Sequence, residues 1–258
     1  MASGMAASRA GSRRLKSDTE LYQRSFVTMV RSWAYLVEGS PGAELVRLDD
    51  ATIACFVHSP DRDFLNNAVL EPAVDDPEAT LARIEHAYAE RGIERFAVWT
   101  QSTGEEIRPL VEARGYRYDT STAIMGMEIG ELVEADTTVL DLAETDLADF
   151  WRVAEVPGLA PELDAEGGHF YVSRLAGEPV ATLMAFDHDR DCGIYMVGTA
   201  LGARRRGIAT ALSSHAIVAA GERGCTTASL QATQMAVGVY AGIGFRELGR
   251  FDEYLPER

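Results

Sequence analysis

The stretch richest in chemistry is Val197-Gly198-Thr199-Ala200-Leu201-Gly202-Ala203-Arg204-Arg205-Arg206-Gly207-Ile208-Ala209-Thr210-Ala211-Leu212. An apolar run enters a short loop with two glycines, and beyond it Ile208, Leu212, Ala216 and Ala219 recur on one helical face. The spacing predicts a strand, a loop and a helix start. The first amides of a helix have no partner inside it and carry the positive end of its dipole, so they attract phosphate oxygens. Gly207 and Ala209 are small where a pyrophosphate would approach the main chain, and Arg204, Arg205 and Arg206 put three cations at the mouth. Cations at a helix N-terminus oppose the dipole unless an anion joins them. Anion binding is therefore favoured over a solvated arginine run. The loop is no P-loop, since no Gly-Lys-Ser/Thr follows, and it lacks G-x-G-x-x-G.

A second landmark lies 31 residues beyond Ala209, where Tyr240 precedes Gly244-Phe245 by four positions. Arg204-x-x-Gly207-x-Ala209 resembles the (Gln/Arg)-x-x-Gly-x-(Gly/Ala) acyl-CoA signature of the GNAT N-acyltransferases, and the Tyr–Gly-Phe spacing is similar to that family's second motif. The resemblance covers residues 137–258. It implies an α/β (α+β) fold with a mixed, mostly antiparallel central sheet flanked by helices. It also implies acetyl-CoA as co-substrate, no metal, and transfer of an acetyl group to a primary amine of a small acceptor. By the same resemblance, backbone groups of Val197, Gly198 and Thr199 would hold the pantetheine arm. Amides of Arg205, Arg206, Gly207, Ile208, Ala209 and Thr210 would hold the pyrophosphate. Tyr240 would protonate the departing thiolate, which a phenol of pKa about 10 can do for a thiolate of pKa about 8–9 in tight geometry. Two positions depart from the family pattern. Thr233 stands where many members have an Asn that contacts CoA, and Ala228 where some have a Glu base. The resemblance thus supplies no base, and a non-catalytic acyl-CoA sensor or scaffold stays open as the alternative.

Other reactive side chains have plainer readings. Asp187, His188 and Asp191 fall at the end of an expected hairpin and are read as a solvated turn. His169 follows Gly167-Gly168 at a strand start, where it faces either the acceptor or the surface, and Tyr195 either packs or touches the acceptor. Trp33, Trp99 and Trp151 are read as core. Cys55, Cys192 and Cys225 are odd in number, far apart and without a C-x-x-C, which argues against a disulfide scaffold or zinc knuckle and fits a reducing cytoplasm.

The elements that must position these residues occur as a repeat. Glu90-Arg91-Gly92 and Glu222-Arg223-Gly224 each precede a β run, a polar break, a helix and Gly plus an aromatic (Gly115-Tyr116 and Gly244-Phe245). The Gly-to-Gly separation is 23 residues in the first copy and 20 in the second. Such internal similarity points to duplicated units. The expected layout is a disordered tail over 1–17, a degenerate GNAT-like half over 18–130, a linker over 131–136 and the CoA-binding half over 137–258. In the first half the segment facing the arginine loop is Glu71-Pro72-Ala73-Val74-Asp75-Asp76-Pro77-Glu78, and Val111 stands where Tyr240 stands in the second. That half is expected to bind no CoA, to complete a shared core and to wall the acceptor pocket.

The local readings are a helix over 19–36, strands over 43–48 and 51–57, and a helix from Asp76-Pro77 to Arg91. A strand over 95–100, a helix over 105–114 disturbed by Pro109, and a strand over 122–129 complete the first half. The second half is expected to hold a strand over 138–142, a short helix capped by Asp146, and a loop over 155–168. Strands over 170–177, 179–187 and 192–199 come next, then a helix over 206–222, a strand over 226–231, a helix over 234–243 and strands to Tyr254. Composition sets the outer limits. The chain has 258 residues and a net charge of −16; residues 1–17 carry +4, leaving −20 for the rest. So acidic a body disfavours nucleic acid and anionic lipid as partners. No apolar run approaches the roughly 18 residues that span a bilayer. A soluble cytoplasmic monomer or homodimer is expected.

Overall fold

The computed structural model describes residues 16–101, 107–142, 147–156, 159–160, 163 and 167–257. Most of the expected tail, the Asp146 cap and parts of the 155–168 loop lie outside them.

The chain begins with α1 (Asp18–Glu38), which opens on a capping box: Ser17 Oγ accepts from Glu20 N at 3.2 Å and Glu20 Oε2 accepts from Ser17 N at 2.9 Å. Then come β1 (Glu44–Arg47), β2 (Ala51–Cys55), β3 (Asn67–Leu70), α2 (Pro77–Ala89), β4 (Ala97–Gln101), α3 (Ile107–Ala113) and β5 (Tyr116–Glu128). The second half supplies α4 (Leu147–Val153), β6 (Gly168–Leu175), β7 (Glu178–His188), β8 (Asp191–Thr199), α5 (Ile208–Glu222), β9 (Thr227–Thr233), α6 (Val237–Gly242) and β10 (Arg246–Pro256). Pro109 falls in the first turn of α3, where its missing N–H has no role.

All ten strands form one sheet in the order β1-β2-β3-β4-β10-β5-β9-β8-β7-β6. Only β3–β4 and β8–β9 are parallel. The sheet is the mixed, mostly antiparallel kind expected, and its two ends repeat one arrangement: three antiparallel strands, then a parallel fourth. The last strand of each half crosses over. β5 pairs with β9 and β10 pairs with β4, while β5 and β10 pair with each other along the middle. The linker is pinned to this frame, with Val133 N donating to Ile243 O at 3.1 Å and Ala135 N to Ser214 Oγ at 3.1 Å.

Alternation along β5 separates the two faces. Ala123, Met125 and Met127 meet the layer of α5 and α6, whereas Ile124 meets α1. Leu81, Ile84 and Tyr88 of α2 and Val111 of α3 extend the first layer over β2, β4 and the end of β10. The opposite face carries α1 along the sheet centre and α4 against β6 and β7.

Three expectations are corrected. Residues 138–142 form no strand; Thr138 N and Oγ1 both donate to Asp136 Oδ1, at 2.9 and 2.6 Å, which turns the chain and leaves one bridge, Leu142 to Ser173. β3, absent from the expectations, is a fully buried four-residue strand whose evidence is its parallel partner rather than its own pattern. The strands expected after residue 243 are one continuous β10.

Candidate active site

The site begins where two parallel strands part. β8 and β9 pair only from Asp191–Thr227 to Gly193–Ser229, while β8 stays paired to β7 as far as Thr199. From Ile194 and Leu230 onward the strands diverge, and backbone groups on their facing edges are free for a ligand. Val197, Gly198 and Thr199 lie on this divergent, half-buried stretch. Thr199 Oγ1 is buried with no hydrogen-bond partner among the described residues. That orphaned hydroxyl beside the opening fits an extended polar ligand such as a pantetheine arm.

A β-bulge lies within the same stretch. The β7–β8 register shifts between Thr182 and Met184, and Met196 opposite the shift has φ of 51°. Thr182 Oγ1 donates to Met196 O at 3.0 Å and holds the bulge in place. A left-handed non-glycine residue costs about 1–2 kcal/mol, and bulges turn backbone groups out of the ladder. The sequence reading missed this bulge; the pairing shift that defines it has no local signature. Gly193 is set by the neighbouring Tyr195, whose ring occupies the space a Cβ at Gly193 would need.

Beyond β8 the chain makes a short turn and enters α5. Arg204 Nε donates to Thr199 O at 2.9 Å and ties the loop to the strand. Arg205 has φ of 63°, and Gly207, the N-cap of α5, has φ of 76°. No side chain caps this helix and its first turn holds no acid. The amides of Ile208, Ala209 and Thr210 therefore face outward beside Arg205 and Arg206, which are exposed and without an ion-pair partner among the described residues. Beneath them Ile208, Leu212 and Ala216 seat the helix on the sheet, with Ala219 half-buried. The sequence-predicted residues from Val197 to Thr210 thus form one continuous rim. The matching point in the first half is closed: Asp76 Oδ1 accepts from Ala79 N at 3.0 Å and Pro77 fills the first helical position.

Tyr240 lies on α6, 7% exposed, with its ring edge-on to Phe245 at 5.8 Å. Burial pushes its phenol up to about 12, and the neighbouring Ser213 hydroxyl offsets part of the rise without forming a good hydrogen bond. Thr233 ends β9, exposed, and its carbonyl accepts from Ala236 N at 2.8 Å as the chain turns into α6.

The solvated-turn reading is overturned for two acids. Asp191 is 1% exposed; Thr227 Oγ1 and Ser229 Oγ donate to its two oxygens at 2.6 and 2.7 Å. Burial raises its carboxyl, and it lies at the end of β8 opposite Thr199. Asp187 is bidentate to Arg223 at 2.6 and 3.0 Å and lies 3.5 Å from His169 Nε2. Arg223 follows the C-terminus of α5, so this cluster is remote from the arginine loop. Burial, then Arg223, lowers the His169 pKa. His188 sits at the same hairpin end, half-buried. Tyr195 is half-buried against α1, with its hydroxyl enclosed and unpaired among the described residues. Trp151 is core at 3% exposure, whereas Trp33 and Trp99 are half-buried. Burial raises all three cysteine thiols, which makes them poor nucleophiles. Among the described residues no His, Cys, Asp and Glu group suits a metal, and no helix is long and apolar enough to cross a membrane.

Solved structures share the fold. The "GCN5-related N-acetyltransferase from Kribbella flavida" superposes with a TM-score of 0.66 at 20% identity, covering 89% of this chain and 95% of that one. A GCN5-related N-acetyltransferase from Sphaerobacter thermophilus gives 0.57 at 15% identity, with 95% and 94% covered. A tandem GNAT protein from the clavulanic acid biosynthesis pathway gives 0.53 at 12%, with 93% and 96% covered. No curated protein matches the chain. Residues 134–245, which hold the parted strands and the arginine-flanked helix start, match the family model described as Acetyltransferase (GNAT) family.

Proposed function

We propose that the protein is an acetyl-CoA-dependent N-acetyltransferase that acetylates a primary amine of a small acceptor in a ternary complex. The observation that carries this reading is the uncapped, arginine-flanked start of α5 at the end of the parted strands β8 and β9. In this reading the amides of residues 205–210 hold the pyrophosphate, the free edge of Val197–Thr199 holds the pantetheine arm, and Thr233 flanks it. Acetyl-CoA supplies the activated acyl group. The bulge at Met196 turns a backbone group toward the carbonyl, where an N–H stabilises developing negative charge. Tyr240 gives the proton that the leaving sulfur needs. The first half, with Asp76 in place of free amides, binds no CoA.

Enclosure of the Tyr240 phenol favours a second reading, a non-catalytic acyl-CoA sensor, because a phenol near 12 is a weak acid for a thiolate. Two measurements separate them. Isothermal titration with acetyl-CoA should give one site per chain, and thiol release should follow addition of amines from a mixed panel. Binding without release in any amine selects the sensor; two equivalent sites overturn the assignment of the first half; no binding overturns both readings.

A further inference from the structure

The family resemblance provides no base. The last strand of the second half, β10, which crosses to lie between β4 and β5, carries a candidate. Glu253 is directly opposite Trp99 of β4, in a register without a shift, so the two side chains share a face of the sheet. Trp99 is on the α1 face, edge-on to Trp33 at 5.8 Å and tilted against Phe251 at 5.6 Å. On its other side Phe251 pairs with Thr122 of β5, and Thr122 pairs with Thr233 at the end of β9. The row Gln101–Phe251–Thr122–Thr233 therefore crosses from β4 to the margin of the opening, with Phe251 two strand spacings, about 10 Å, from Thr233, and Glu253 lies two residues farther along β10 on the same face. Thr122 Oγ1 stands beside the Glu253 carboxylate, within this row and short of a well-formed hydrogen bond.

This region is only partly sealed although it faces the centre of a ten-stranded sheet. Trp33, Trp99, Tyr195, Met196 and Glu253 are all half-buried rather than sealed. Trp99 Nε1 and Gln101 Nε2 are enclosed without a partner among the described residues. Asp63 and Asp119 lie around the carboxylate, each held by its own cation, Arg95 at 2.6 Å and Arg117 at 2.8 Å. The other half-buried acid with a raised pKa, Glu71, follows β3, two strands farther from the opening.

We propose that Glu253 receives the ammonium group of the acceptor, a primary alkylamine, against the aromatic wall of Trp33 and Trp99, and removes the proton that must leave before nitrogen attacks. The inference rests on the acyl-transfer reading above. Glu253 takes one proton from the ammonium nitrogen and passes it to solvent. The freed lone pair forms the C–N bond at the thioester carbonyl as the C–S bond breaks. The sulfur takes the Tyr240 proton, and the second nitrogen proton leaves to solvent, from which Tyr240 is reprotonated. The aromatic faces favour a cation over a neutral or anionic acceptor. Burial is the main cause that raises the Glu253 carboxyl to about 7; Thr122 works against the rise, and Asp119 and Asp63 add to it. Such a carboxyl is about half ionised at neutral pH, and its carboxylate is basic enough to take a proton.

The test compares wild type with Glu253→Gln across pH, using acetyl-CoA and a simple alkylamine such as butylamine. Wild-type kcat/KM should rise through an acid limb near pH 7, where the raised carboxyl of Glu253 gives up its proton and becomes a base. E253Q should lose at least ~100-fold and the limb with it, at unchanged acetyl-CoA Kd. Thr122→Val, an isosteric change, should move the limb to higher pH. An E253Q enzyme with the limb intact and kcat/KM within about threefold of wild type overturns the proposal and leaves acyl transfer standing. So does an unmoved limb in T122V. If wild type neither binds acetyl-CoA nor releases thiol, acyl transfer is what fails. The acceptor site is then read by tryptophan fluorescence during butylamine titration at pH 8. Quenching in wild type and its loss in E253Q uphold the site; equal titration of both proteins, or of neither, overturns it.

Discussion

Tyr240 is the residue on which the proposed chemistry turns. Its ring packs against Phe245 whether or not the hydroxyl takes part in chemistry, so removal of the oxygen alone is the informative change. Tyr240→Phe should lower kcat by roughly 10²–10⁴ and leave the CoA Kd nearly unchanged, because the proton transfer matters only in the transition state. A loss under about threefold, with chemistry rate-limiting, would move the sensor reading to first place. Glu253 permits a separate test through stability. Its folded pKa, near 7, is above the ordinary value of 4.5, so between those values the folded state holds more protons than the unfolded one. Stability from this group is present at low pH and is lost as pH rises through 7. Glu253→Gln should therefore raise the melting temperature at pH 8 and change it little at pH 5. Equal shifts at both values would show that the carboxylate is not strained in the fold.

At the scale of elements, the start of α5 separates backbone conformation from charge. A Cβ at Gly207 meets nothing within 4 Å, so crowding does not require the glycine; its φ of 76° does. Gly207→Ala carries only that strain, whereas Gly207→Glu adds a carboxylate beside the bound pyrophosphate. Calorimetry should find acetyl-CoA affinity reduced modestly in G207A and abolished in G207E; equal affinities would remove the electrostatic basis of the site. This element was legible in the sequence because its causes are local: a Gly at the cap, arginines before it, and Ile208, Leu212 and Ala216 on one face. The Asp76-Pro77 start of α2 was legible for the same reason. β3 was not, since four buried residues gain their identity from β4. Residues 138–142 have β-forming side chains, yet Asp136 captured the backbone first. Asp191 looked solvated because it adjoins a turn; α1, more than 150 positions earlier, covers it, with Arg24 Nη1 donating to Asp189 O at 2.8 Å. Glu253 was hidden among charged neighbours on a strand whose partners come from the other half.

At the scale of the molecule, the crossed strands make each half depend on the other. A fragment over 137–258 lacks β5, which pairs with β9 along seven residues, from Thr122–Thr233 to Glu128–Thr227. A fragment over 18–130 lacks β10, and β4 then presents an open edge. Neither fragment alone should unfold cooperatively or bind CoA, and co-expression of the two should restore one CoA site. A soluble, active 137–258 fragment would show that the exchange is dispensable. Ending the chain at residue 245 should be as damaging as removing an entire half, since it opens β4 and β5 together.

The position of β10 also sets a timetable for biosynthesis. Of the ten strands, the one made last joins the first half to the second, so a nascent chain cannot close its sheet while those residues remain inside the ribosome. Until β10 emerges, β4 and β5 lack their shared neighbour, and an exposed strand edge is the feature that invites aggregation. The sheet should therefore become protease-resistant only after β10 has left the ribosome, and chains stalled before that strand should depend on chaperones to remain soluble.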